Sequence, residues 1–183
     1  MGGDVAPRAA PRLTPVRRDP GYHPPVDTSD RTSAAETPGD APWAPVRVLF
    51  ICTHNSARSQ MAEGLLRARG GDGFAAFSAG TEATEVRPLA IRVMDELGID
   101  LRDQWSKTLH GYLAEPFDLV VTVCDSAREA CPVFSGARRM EHWSFDDPSA
   151  ATGSDEERLA VYRRVRDELA TRVDALVARE DTR

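Results

Sequence analysis

The chain has 183 residues, 41% of them hydrophobic, enough to bury the core of one domain. A formal net charge of -6 argues against nucleic acid as a partner, and no apolar run approaches the roughly 18 residues of a membrane span. Three cysteines, an odd number, fit a secreted disulfide framework poorly, so a cytoplasmic protein with free thiols is expected.

Residues 1–45 carry nine of the thirteen prolines, few large apolar side chains and no hydrophobic period. Such a segment cannot offset its ordering entropy by burial, and it reads as a disordered Pro-rich leader. It has no apolar signal-peptide core, and five Arg against six Asp and Glu make it a poor nucleic-acid arm. The folded domain is expected over residues 46–179.

VRVLFI (46–51) is a short β-branched apolar run and predicts the first strand. A helix should follow Ser56, with Ala57, Met61, Leu65 and Ala68 on its buried stripe. FAAFSA (74–79) predicts a second strand ending at Gly80. Pro88 suits a first helical position, followed by Leu89, Val93, Met94 and Leu97, with Gly98 as the stop. A shorter helix is expected from Thr108 to Ala114. FDLVVTV (117–123) is the clearest buried strand, and RMEHW (139–143) is a candidate fourth. The last helix opens on a capping box of Ser154 and Glu157, and its stripe is Tyr162, Val165, Leu169, Val173 and Leu176. Strands alternating with helices imply a doubly wound parallel α/β sheet, whose ligands bind beyond the carboxyl ends of the strands. Cys52 and Cys124 follow the first and third strands, so both should open onto that edge.

The loop CTHNSARS (52–59) raises the central chemical question. With 22 arginines in the chain, Arg58 six places after Cys52 is by itself a weak signal. Its context is stronger: a buried strand, a cysteine, small polar residues, then arginine at a helix start. Backbone N–H groups there form an anion nest, and Arg58 adds a planar fork of donors. The same positive field favours the Cys52 thiolate at neutral pH. The competing reading is a small buried cysteine at a strand end, beside a surface arginine.

CTHNSARSQMAEG (52–64) resembles the active-site loop of the low-molecular-weight phosphotyrosine phosphatase fold, and most closely its arsenate reductase branch. The resemblance continues through SAG (78–80), VTVC (121–124), CP (131–132) and EHWSFDDP (141–148), and it covers residues 46 to about 178. It implies a three-layer α/β/α fold on a four-stranded parallel sheet, and reduction of arsenate to arsenite. In that scheme Cys52 attacks arsenic, Cys124 attacks the Cys52 sulfur, and Cys131 attacks Cys124. An external dithiol, thioredoxin or a similar protein, reduces the resulting Cys124–Cys131 disulfide. The oxyanion would be held by Thr53, His54, Asn55, Ser56, Ala57, Arg58 and Ser59. Cys124 and Cys131 also admit a reading as buried small residues; seven apart and with no further ligands, they make a poor zinc pair. A phosphatase, the alternative activity, would use the loop and an acid but leave these two cysteines unexplained.

The resemblance gives Asp147, directly before Pro148, the role of general acid, with Asp146 as competitor. Ser149, Ala150 and Ala151 follow where phosphatases commonly carry aromatic residues, which favours a small inorganic oxyanion. Ser59 matches a serine that bonds the thiolate, and Asn55 suits a left-handed turn. Asn55, Glu63 and Ser78 match positions that bind potassium in some relatives, but the fourth position is Lys107. No metal site is therefore expected, with Lys107 pairing Glu63 in place of an ion. No cofactor is implied, His23, His110 and His142 show no metal spacing, and a monomer is expected.

Overall fold

The structure, a computed structural model, describes residues 44–130 and 134–180. The expected leader therefore lies outside the described residues except for Ala44 and Pro45, and Cys131 lies outside them too.

Strand β1 (Val46–Cys52) forms from a β-branched run, and its last five residues are buried. It sits second in a four-stranded sheet of order β2-β1-β3-β4, with β2 at Phe74–Gly80, β3 at Leu119–Thr122 and β4 at Met140–His142. All three ladders are parallel. The chain runs from β1 outward to β2, then returns across β1 to β3. The order therefore reverses between β1 and β3, the crevice where such sheets bind ligands. Cys52 ends one of these strands, and Cys124 lies two residues past the end of the other. This is the α/β architecture that the alternation of strand and helix patterns implied.

Helix α1 (Arg58–Gly70) lies against β1, β2 and α4, which spans Asp155–Glu180. Its first nine residues are buried all round rather than along one stripe. Ala68, expected on the stripe, is exposed instead, while Ala62 and Leu66 are buried. Helix α2 (Pro88–Asp95) starts at the proline as expected and buries Ala90, Val93 and Met94; Leu97 is 43% exposed past its end. The chain then turns through Gly98 at φ +73, a conformation that favours glycine. Helix α4 opens on the expected box, in which the Ser154 N–H and hydroxyl both donate to Glu157 at 2.8 Å. All five residues of its predicted stripe are buried.

Two expectations need correction. The helix placed at Thr108–Ala114 is a single 3-10 turn, Leu109–Tyr112, because Thr108 is taken by a bridge to Gly80 at the sheet edge. The strand at 117–123 pairs only over Leu119–Thr122, since Phe117 bridges Ala137 instead. Helix α3 (Asp125–Ala130) packs on β1 and β3. Leu49, Phe50, Ile51, Met61, Leu65, Leu119 and Tyr162 fill the core, each full burial contributing about 1.5–3 kcal/mol. No described helix is long and apolar enough to cross a membrane.

Candidate active site

Between β1 and α1 five residues, Thr53 to Ala57, turn without regular structure. Their carbonyls are held from outside the turn. Thr81 N–H donates to Cys52 O at 3.3 Å, and Glu82 N–H and Arg87 N–H donate to Thr53 O and Ser56 O at 2.8 Å each. The Ser106 hydroxyl donates to His54 O at 2.9 Å. The first N–H groups of α1, which have no intrahelical partner, open at the loop's end and make its anion nest. Asn55 sits at φ +46, in the left-handed region that asparagine tolerates. Gly80 is required by close approach, since a Cβ there would lie 2.3 Å from Glu82 O and 2.7 Å from Thr53 O.

Cys52 is 3% exposed, and its Sγ lies 2.9 Å from Ser59 Oγ. The direction of that bond follows from the residues behind it. Asn55 Oδ1 accepts from Lys107 N–H at 2.7 Å, and a backbone N–H can only donate, so the amide orientation is fixed. Its Nδ2 then donates to Ser59 Oγ at 2.9 Å and to Ser78 Oγ at 2.8 Å. The Ser78 hydroxyl donates to the Glu63 carboxylate. Ser59 receives one hydrogen bond and keeps its own proton for the sulfur. The Glu63 carboxylate, 1% exposed, is paired with Arg67 at 2.6 Å and with Lys107 at 3.5 Å.

Arg58 is held at both ends of its fork: Nη1 donates to Phe145 O at 3.1 Å, and Nη2 lies 3.2 Å from Asp147 Oδ2. Asp147 also accepts Ser149 N–H at 3.0 Å, which caps the 3-10 turn Pro148–Ala150 and fixes the carboxyl over the loop's arginine. Asp146, its competitor, turns to Arg164 of α4 at 2.9 Å. Cys124, 3% exposed, sits just before α3; its Sγ is 3.5 Å from Thr53 Oγ1 and 3.4 Å from Ala127 N. Both Cys52 and Cys124 are free thiols. Ser56 and Ala57 are buried in the loop, whereas His54 is about half exposed and faces Glu82 at 3.7 Å.

The structure therefore brings Cys52, Arg58, Ser59, Asp147 and Cys124 to one sheet edge. Sequence reasoning missed one further group there: His142, Asp125 and Ser144, which meet beside Cys124. In the sequence His142 shows only the absence of metal spacing, and no spacing shows that β4 pairs with β3.

The chain matches the family model described as low molecular weight phosphotyrosine protein phosphatase over residues 47–182. It is 48% identical over 126 residues to an arsenate reductase of Halalkalibacterium halodurans, covering 69% of this chain and 91% of that one. It superimposes on a solved arsenate reductase in the phosphate-binding state with a TM-score of 0.65 and 35% identity, over 73% of this chain and 98% of that one. The thioredoxin-dependent arsenate reductase of Corynebacterium glutamicum is similar at 27% identity and TM-score 0.58, over 76% and 64% of the two chains.

Proposed function

The chain belongs to the low molecular weight phosphotyrosine protein phosphatase family, and we propose that within it this protein reduces arsenate to arsenite with electrons from a thiol protein. The observation that carries this reading is the 3.5 Å approach of Thr53 Oγ1 to Cys124 Sγ. A second free thiol opens onto the loop that carries the first, and hydrolysis of a phosphate ester has no use for it. The arsenate reductases above support the same reading.

In the first step arsenate sits in the loop N–H groups, with Arg58 spanning two of its oxygens. The incoming dianion competes with Asp147 for the guanidinium and leaves that carboxyl free to hold a proton. Cys52 thiolate attacks arsenic, an S–As bond forms, and the departing hydroxide takes the Asp147 proton and leaves as water. Next, Cys124 thiolate attacks Cys52 Sγ. The S–S bond forms as the S–As bond breaks, and its electron pair stays on arsenic, which leaves as arsenite. Thr53, whose hydroxyl reaches Cys124, orients that thiol. Cys131 thiolate then attacks Cys124 Sγ and expels Cys52 as thiolate, which resets the loop. A dithiol of the thioredoxin kind reduces the remaining disulfide with two electrons. These steps use no cofactor.

The test is arsenate-dependent NADPH oxidation with thioredoxin and its reductase, run on the wild type and on Cys52→Ser, Cys124→Ser and Cys131→Ser. All three substitutions should abolish turnover. Normal turnover by Cys124→Ser would sink the relay, and hydrolysis of an aryl phosphate without arsenate turnover would favour the phosphatase.

A further inference from the structure

The pairing of β3 with β4 places Thr122 opposite His142. The imidazole is then engaged at both nitrogens. Nδ1 lies 2.8 Å from Thr122 Oγ1, and Nε2 lies 2.8 Å from Asp125 Oδ1. Ser144, two residues past the end of β4, donates its hydroxyl to the same carboxylate, 3.1 and 3.2 Å from its two oxygens. Asp125 directly follows Cys124 and is the first residue of α3. Its carboxyl is held below the ordinary carboxylate range, first by the His142 bond and then by Ser144, with a smaller contribution from Arg128.

A six-residue helix does not stand by itself, so tertiary ties keep α3 wound. Besides the Asp125 contacts, Ala127 is fully buried against the sheet, and locally its N–H donates to Cys124 Sγ at 3.4 Å. Bonding Cys124 to Cys131 joins residues that a straight helix would hold roughly 10 Å apart, beyond the ~7 Å reach of a disulfide. On the relay proposed above, forming that bond therefore unwinds or folds back the segment Asp125–Ala130, whose first residue is the one His142 and Ser144 hold.

We propose that His142 and Ser144, by clamping Asp125, act as a latch that holds the Cys124 segment in its reduced arrangement and so sets how readily the Cys124 disulfide is reduced. The inference rests on the relay described above. A contact made only by the reduced form stabilises that form and makes the disulfide a better oxidant. In the reduction itself the S–S bond takes up two electrons and two protons from the external dithiol, which becomes a disulfide. Asp125 then returns to His142. His142 is a positioning residue, since it touches neither arsenic nor a reacting sulfur in the scheme above.

The test is a redox titration of the full chain in graded mixtures of reduced and oxidised dithiothreitol, quenched by alkylation and read by peptide mass mapping. Asp125→Asn and His142→Asn should each raise the equilibrium constant for the Cys124–Cys131 disulfide about fivefold, the upper scale for an exposed polar pair. At 29.6 mV per tenfold that is a potential roughly 20 mV lower. The double variant should shift no further than either single one, and the alkylation rate of Cys52 should stay within about twofold of wild type. Ser144→Ala loses only a hydroxyl and should move the constant the same way by less, so it reads the latch even if the other variants fold poorly. Constants matching wild type in all three would overturn the latch while leaving the relay standing. Absence of a Cys124–Cys131 disulfide in the wild type itself would overturn the relay, and the latch with it.

Discussion

The Lys107 ammonium lies 3.5 Å from the Glu63 carboxylate, which is almost wholly buried at the far end of the hydrogen-bond chain from Cys52. Glu63 orders Ser78, Ser78 accepts from Asn55, and Asn55 fixes the proton on Ser59. An internal cation thus neighbours Glu63, at the position where the resemblance implied a potassium ion in some relatives. Turnover should accordingly change less than about twofold when potassium replaces sodium at constant ionic strength. Lys107→Ala should lower stability by about 1–2 kcal/mol, less than the ~3–5 kcal/mol of a fully orphaned buried charge, because Arg67 still pairs Glu63. Urea melts measure the loss. A steep, potassium-specific rise in wild-type activity would refute the substitution.

Gly80 sets the distance between β2 and the loop. A Cβ there would meet Glu82 O, Thr53 O and Asn55 N at 2.3, 2.7 and 2.8 Å, all of them backbone atoms that a rotamer change cannot move. Gly80→Ala should cost at least about 2 kcal/mol of stability and displace the oxyanion loop. Arsenate or phosphate protection of Cys52 against alkylation should fall by more than tenfold. Gly98→Ala, with nothing within 4 Å of its Cβ, carries only the strain of φ +73 and should leave that protection intact.

Glu96, just past α2, accepts from Arg163 and Arg166 of α4, and these bonds lower its pKa from 4.5 to about 2, the Arg163 bonds most of all. A carboxyl with a depressed folded pKa contributes its stability above the unfolded value and loses it as pH falls through the folded one. Glu96→Gln should therefore cost about 1 kcal/mol at pH 7, a modest figure because Glu96 is one-third exposed and screened by solvent. The gap to wild type should narrow below pH 4.5 and close near pH 2. A pH-independent gap in denaturant melts would point to lost packing instead.

Legibility from sequence followed the range of the interactions. β1, α2 and α4 were readable because a β-branched run, an N1 proline and a capping box are local signals. The all-round burial of α1 was not, because Ser59, Gln60 and Glu63 read as a solvent face and are buried only through bonds to Asn55, Trp105 and Lys107. In the site, the order Cys52, Arg58 and Ser59 was legible as one continuous loop. The proton direction at Ser59 was not, since it depends on Lys107 N–H, fifty-two residues from Asn55. The same holds for His142, whose register opposite Thr122 exists only once β3 and β4 pair.

Two adjacent carboxylates, Asp146 and Asp147, allow a paired test of which one serves the loop. Asp147 is 3.2 Å from Arg58 Nη2, while Asp146 pairs with Arg164 on the surface of α4. Asp147→Asn removes the proton that the leaving oxygen needs, so kcat/KM for arsenate should fall by about 10²–10³-fold. It also removes a negative charge beside Arg58, so the free enzyme should bind phosphate as tightly or more tightly. Asp146→Asn loses one exposed ion pair and should stay within about twofold of wild type in both measurements. Product release or thioredoxin reduction could mask a slow chemical step at steady state, so the decisive reading is a single turnover with excess enzyme. There Asp147→Asn should slow the first appearance of arsenite, and Asp146→Asn should not. Equal slowing by both would remove Asp147 from the role of acid.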